Sequence, residues 1–159
     1  MTISTGDNIP LTAFAKMADG AVSQIAGADL FSDRKVVIFG LPGAYTSTCD
    51  TAHVPSFMRV AEDLRAKGVD EIICVATNDP WVMDAWSKST GGADAGITFL
   101  SDPESKFTKE IDMAMSAPAV GFYARSKRYA MFVENGVVKV FNPELERGVC
   151  EISTGETLL

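Results

Sequence analysis

One histidine, three cysteines and no run of basic residues leave few kinds of chemistry open to this 159-residue chain. Lys+Arg number 14 against 21 Asp+Glu, a net charge of −7, so nothing offers the electrostatic attraction that phosphate backbones or anionic lipid require. Neither nucleic acid nor a membrane is expected as a partner. No apolar stretch is long enough to cross a bilayer, and the amino terminus, Met1-Thr-Ile-Ser-Thr-Gly-Asp-Asn8, has neither the basic nor the apolar region of an export signal, which implies the cytoplasm. The lone His53 has no Cys-x-x-Cys to join it, so neither a metal nor a cofactor is expected. Cys49, Cys74 and Cys150 are too few and too odd in number for a disulfide scaffold; if these thiols matter, they matter chemically.

What is present is core material: 47% of residues are hydrophobic, enough for one domain over residues 1–159. The first 34 residues read as short extended pieces, with Asp19-Gly20 turning an edge hairpin. Val36–Phe39 is a continuous β-branched and aromatic run that suits a strand buried on both faces. Val54, Phe57, Met58, Ala61 and Leu64 then recur at helical spacing up to Lys67-Gly68. Glu71–Thr77 is a second strand, and Asn78-Asp79-Pro80 opens a helix through Trp81 and Trp86. Ile97–Leu100 is a third strand, followed by a helix opened by Asp102-Pro103 and carrying Phe107 and Ile111. Asn135-Gly136 turns a hairpin between Tyr129–Val133 and Val137–Phe141, and Ser153-Thr-Gly-Glu156 has the form of a capping box for a last helix over 156–159. This order predicts an α/β chain of thioredoxin architecture with two additions, the N-terminal hairpin and the helix between strands two and three.

Between the first central strand and its helix lies Pro42-Gly-Ala-Tyr-Thr46-Ser-Thr-Cys49. The placement puts Cys49 at the carboxyl end of a buried strand, the crevice where open α/β sheets bind ligands. Unpaired N–H groups and the helix dipole there favour a thiolate. Thr46 is one turn earlier, so its hydroxyl can reach the sulfur or what the sulfur attacks, and Pro42 can shield one side.

Pro42-x-x-x-Thr46-x-x-Cys49 resembles the active-site signature of the peroxiredoxins, thiol peroxidases of the thioredoxin superfamily. Phe39-Gly-Leu-Pro-Gly-Ala-Tyr-Thr46, His53-Val-Pro55, Lys67-Gly-Val69, Asn78-Asp79 and Arg125-Ser-Lys-Arg-Tyr-Ala-Met131 before Asn135-Gly-Val-Val138 are similar to the peroxiredoxin-5 subfamily, over nearly the whole chain. Ser47 departs from it, standing where the subfamily more often has proline. The resemblance implies that Cys49 is the peroxidatic cysteine, Thr46 the hydroxyl that orients peroxide, Pro42 the shield and Arg128 the guanidinium of the pocket. Arg128 is preferred to Arg125 because the family's arginine directly precedes the aromatic residue of the next strand, here Tyr129. The implied reaction is reduction of hydrogen peroxide and alkyl hydroperoxides, with glutathione and glutaredoxin, or thioredoxin, as reductant and a homodimer as the assembly. Ionising a thiol of pKa about 8.5 gains roughly thirtyfold at neutral pH. One preorganised donor aimed at developing charge is worth about 2.7 to 4 kcal/mol, so the donors are expected to supply more rate than ionisation does.

Cys74, among apolar neighbours in Ile72–Val75, reads as an inert core thiol. Cys150 follows a polar stretch and is a candidate resolving cysteine, although it stands slightly before the position where subfamily members carry one. His53, one turn after Cys49, reads as a packing residue rather than a general base. Two other functions are open to a reactive Cys49: a peroxide-sensing thiol protein, and a thioredoxin-like disulfide reductase. The reductase is disfavoured because no second cysteine lies within three residues.

Overall fold

The computed structural model describes all 159 residues. Strands β1 (Phe14–Ala18) and β2 (Ala21–Ile25) form the expected hairpin, with Asp19 and Gly20 both at positive φ, as its tight two-residue turn requires. Helix α1 (Gly27–Phe31) leads into β3 (Lys35–Gly40), and a widened π-type turn over Cys49–His53 runs into α2 (Val54–Ala66). Then come β4 (Glu71–Ala76), α3 (Pro80–Ser89), β5 (Ile97–Ser101) and α4 (Lys106–Glu110). A separate two-stranded ribbon, β6 (Ala114–Ala117) and β7 (Phe122–Ser126), precedes the closing hairpin β8 (Tyr129–Glu134) and β9 (Val137–Pro143).

Seven strands form one sheet in the order β2-β1-β5-β4-β3-β8-β9, parallel across β5-β4-β3 and antiparallel elsewhere. This is the mixed α/β thioredoxin-like fold, with the N-terminal hairpin at one edge and α3 inserted between β4 and β5. Pleat alternation divides the core. Val37 and Phe39 face the layer of α2 and α3, while Val36 and Ile38 face Leu30 and Phe31 of α1, Phe107 of α4 and Ile111 just after it. Central strands covered on both sides must be apolar throughout, which is why Val36–Phe39 was readable as one.

Three expectations need correction. The helix after β5 does not open at Asp102-Pro103: Ser105 takes a left-handed φ of 55°, and the first turn starts at Lys106. Asp102 caps it from a distance, its carboxylate accepting from the Phe107 and Thr108 N–H groups and the Thr108 hydroxyl. Ser153 and Glu156 form no capping box; Ser153 donates to Glu144, Glu156 pairs with Arg59, and the last element is a 3-10 turn over Gly155–Leu158. The region before residue 34, read as extended, contains α1, and the ribbon β6–β7 stood outside the expected elements. The five residues of α1 have no side-chain cap, and β6–β7 carries a bulge between Met115 and Ala117 and mostly half-buried positions, so neither gives a clean period.

Candidate active site

The crevice at the carboxyl end of β3 is fixed by strand register. Gly40 pairs with Tyr129, and a Cβ at Gly40 would lie 2.2 Å from Tyr129 Cε1, so only glycine leaves room for that ring. The antiparallel pairing then sets Arg128, the residue before Tyr129, beside the chain leaving β3 at Leu41-Pro42. Tyr45 takes φ 63°, a left-handed conformation that costs a residue with a Cβ about 1–2 kcal/mol. Side chains from two other elements hold that loop: Asn78 Oδ1 accepts from the Ala44 N–H at 2.9 Å, and Arg125 Nη1 donates to the Pro42 carbonyl at 2.9 Å.

Cys49, the start of the π-type turn, has no exposed surface, and neither does His53 four residues on. Both meet Arg128, itself 5% exposed: Nη2 donates to Cys49 Sγ at 3.2 Å, and Nη1 contacts His53 Nδ1 at 2.9 Å. On its other side His53 Nε2 lies 2.9 Å from the Ser153 carbonyl. A guanidinium only donates and a carbonyl only accepts, so the imidazole must be neutral with its proton on Nε2. Burial first, and the neighbouring Arg128 charge second, hold His53 well below the ordinary histidine pKa, in agreement with that tautomer. Phe39 and Phe57, stacked at 4.0 Å, flank the ring.

The structure thus brings together Cys49, Arg128, Pro42 and Thr46. Pro42 and Arg128 border, with Thr46, Ser47 and Thr48, a hollow of about 200 Å³ that is the mouth of the site. Of the two partners open to the Thr46 hydroxyl, the sulfur or what the sulfur attacks, the sulfur is not contacted: the hydroxyl donates to the Gly43 carbonyl at 2.7 Å, leaving its oxygen as an acceptor. Arg125 belongs to the loop clamp and not to the sulfur, as its separation from Arg128 in the sequence reading required. His53 is a buried, hydrogen-bonded side chain, as read, but its partner is the site arginine, which no sequence spacing could reveal.

The other two thiols differ from Cys49. Cys74 is fully buried in β4, where desolvation and the proximity of Cys49 push its pKa well up. Cys150 is half-buried, its sulfur 3.8 Å from the Ser153 hydroxyl, and burial pushes its pKa up against the opposing influence of Ser153 and Arg128. All three cysteines are free. The segment around Cys150 is pinned at several points: Glu144 Oε1 accepts from the Glu151 N–H and from both the N–H and hydroxyl of Ser153, Thr48 donates to the Gly148 carbonyl, and the Gly155 N–H donates to Ser56. Burial tends to raise the Glu144 carboxyl, but those donors outweigh it and hold the pKa below the usual carboxylate range. No group of His, Cys, Asp and Glu is clustered to hold a metal, and no helix is long and apolar enough to cross a membrane.

Comparison with known proteins agrees with this geometry. Residues 4–159 match the family Redoxin. The chain is 41% identical over 162 residues to peroxiredoxin-2E-2, chloroplastic, of Oryza sativa subsp. japonica, covering 99% of this chain and 72% of that protein. The crystal structure of reduced Prx3 in complex with hydrogen peroxide from Vibrio vulnificus superposes with a TM-score of 0.91 at 36% identity, over 99% of this chain and 97% of that one. Peroxiredoxin 5 from Alvinella pompejana superposes with a TM-score of 0.84 at 26% identity, over 98% and 95%. The chain belongs to the Redoxin family, as a peroxiredoxin of the thioredoxin superfamily and a thiol-dependent peroxidase.

Proposed function

We propose that Cys49 is the sulfur that reduces the peroxide, with Arg128, Thr46 and Pro42 as its assistants. The observation that carries this is the buried Arg128 Nη2 donating to Cys49 Sγ at 3.2 Å, a charged donor aimed where the negative sulfur and the developing oxyanion both sit. The thiolate attacks one peroxide oxygen; an S–O bond forms, the O–O bond breaks, and the departing oxygen leaves as alcohol or water after taking a proton. Cys49 becomes a sulfenic acid. Because the Thr46 hydrogen is committed to Gly43, its oxygen accepts from the hydroperoxide O–H and so fixes which oxygen faces the sulfur. Pro42, buried with no N–H of its own, walls the hollow.

Recovery uses an external thiol. The sulfenic acid condenses with it, releasing water and leaving a mixed disulfide, and a second thiol returns Cys49 to the reduced state. Glutathione with glutaredoxin is the reductant this reading favours over thioredoxin acting on an internal disulfide, because Cys150 lies in a segment fastened by Glu144, Thr48 and Ser56. Free cysteines throughout suit a reducing compartment such as the cytoplasm, and the exposed apolar Tyr45 and Val120 beside the site suit a homodimer, which light scattering would weigh. The reading is tested by peroxide consumption with a supplied thiol: wild type consumes it catalytically and Cys49→Ser does not. Undiminished consumption by the variant would refute it.

A further inference from the structure

The approach to Cys49 has a second chamber. Beside the mouth is another hollow of about 250 Å³, and the two share Pro42, Arg128, Arg147 and Gly148 along their borders. Peroxide reduction as derived above makes no use of it. Its lining combines apolar side chains, Met115 and Leu145, with three cations, Lys127, Arg128 and Arg147. None of the three takes part in any of the chain's four ion pairs. Arg128 Nε is, moreover, the one buried side-chain nitrogen or oxygen in the molecule without a hydrogen-bond partner. Such a group is costly to leave unpaired, which points to an acceptor arriving from outside. Two carboxylates also border the hollow, Glu144, which keeps its charge while accepting from Ser153 and Glu151, and Glu146 at the exposed rim, so three cations face two carboxylates. In a chain of net charge −7 that local excess of positive charge runs against the overall balance.

We infer that this hollow is a carboxylate subsite, which seats the far end of organic hydroperoxides whose carboxylate is separated from the O–O group by a short apolar span. The inference rests on the assignment of Cys49 as the peroxidatic sulfur. Its geometry is that of a bent molecule across the Pro42–Arg128 border: the O–O end in the mouth with Thr46, the apolar span on Met115 and Leu145, and the carboxylate within reach of Lys127 and Arg147. Hydrogen peroxide is too small to use it. A carboxylate could also enter on the reducing thiol, and the experiment separates the two sources.

The oxidation half-reaction is followed by stopped flow, using tryptophan fluorescence, with a carboxylate-bearing hydroperoxide, its methyl ester and hydrogen peroxide. The wild type is expected to react about fivefold faster with the acid than with the ester at low salt, the preference fading as salt screens the exposed charges. Lys127→Gln, which borders only the second hollow, should weaken the preference and leave the hydrogen peroxide rate unchanged, and Lys127→Gln/Arg147→Gln should abolish the preference. Equal rates for acid and ester in wild type, or a preference that survives in the double variant, would overturn the proposal. In the second arm, oxidised enzyme is reduced with mercaptopropionate or its methyl ester; a charge preference there, with none in the first arm, gives the subsite to the reductant and overturns the substrate assignment. Absence of any wild-type reaction with hydrogen peroxide would instead be the failure of the Cys49 reading, so the two failures are distinguishable.

Discussion

Arg128 stands between two regions built on different plans, and each brings a cysteine to it. On one side the β3 end, the 42–46 loop and the π-type turn make a crevice in which Cys49 is buried and receives a guanidinium N–H. On the other, residues 144–155 wrap the site without regular structure until their last turn, bringing Cys150 near enough for Arg128 to influence it but giving it only the Ser153 hydroxyl at 3.8 Å. Both thiols are partly or wholly withdrawn from water, so burial does not separate them. The donor does. A charged donor on the sulfur stabilises negative charge as it develops in the reaction, whereas a neutral hydroxyl at 3.8 Å leaves burial in control of Cys150, where it pushes the pKa up.

The strongest way to break this comparison is to remove one thiol at a time. Cys49→Ser should abolish peroxide turnover, while Cys150→Ser should be oxidised by peroxide at the wild-type rate and recycle normally with glutathione and glutaredoxin; rates from the two half-reactions check both. Next comes the donor itself. Arg128→Ala should slow oxidation by roughly 100-fold or more, the scale of losing one charged oxyanion donor. Arg125→Ala removes the hold on the Pro42 carbonyl and the guanidinium over the Phe122 ring, neither of which touches the sulfur, and should cost less. A larger loss at Arg125 would mean that loop position, and not charge at the sulfur, limits the rate.

His53 links the two regions, since it bonds Arg128 on one side and Ser153 on the other. His53→Ala leaves a guanidinium N–H and a carbonyl unpaired in the interior, each worth about 1–3 kcal/mol, and should lower the unfolding midpoint and slow oxidation by about tenfold. His53→Gln, which can donate and accept in a similar span, should recover part of both. A pH titration sharpens the point with a smaller effect. His53 stays neutral when folded but takes up a proton below about pH 6.5 when unfolded, so the unfolded state binds more protons there. Stability should therefore fall as pH drops below that value, by at most about 1.4 kcal/mol per pH unit from this residue, and His53→Gln should flatten that part of the curve.

The same contrast explains what was legible in the sequence. Strands β3, β4 and β5 announce themselves because burial on both faces favours apolar runs such as Val36–Phe39 and Ile72–Ala76, and α3 does because Asp79 and Pro80 occupy cap and first turn, with Asp79 accepting from the Val82 N–H. Pro42, Thr46 and Cys49 were legible as a local string. Arg128 lies 79 residues from Cys49 and came only through resemblance. The contact between them depends on pairing Gly40 with Tyr129, a register that local periodicity does not encode. Ser153 and Glu156 misled because their spacing fits a capping box, yet Glu144 and Arg59 offered stronger, charged partners from distant elements. His53 looked like packing because its function lies in what it touches across the sheet.

The most direct test of the central claim, that the crevice and not the wrapping segment carries the oxidation, is intact mass and peptide mapping after one equivalent of peroxide without other thiols. The account predicts one added oxygen on Cys49, captured by a sulfenic-acid reagent, with Cys74 and Cys150 unchanged. A Cys49–Cys150 disulfide formed before the reagent can capture the sulfenic acid, or oxygen on Cys150 with Cys49 intact, would contradict it.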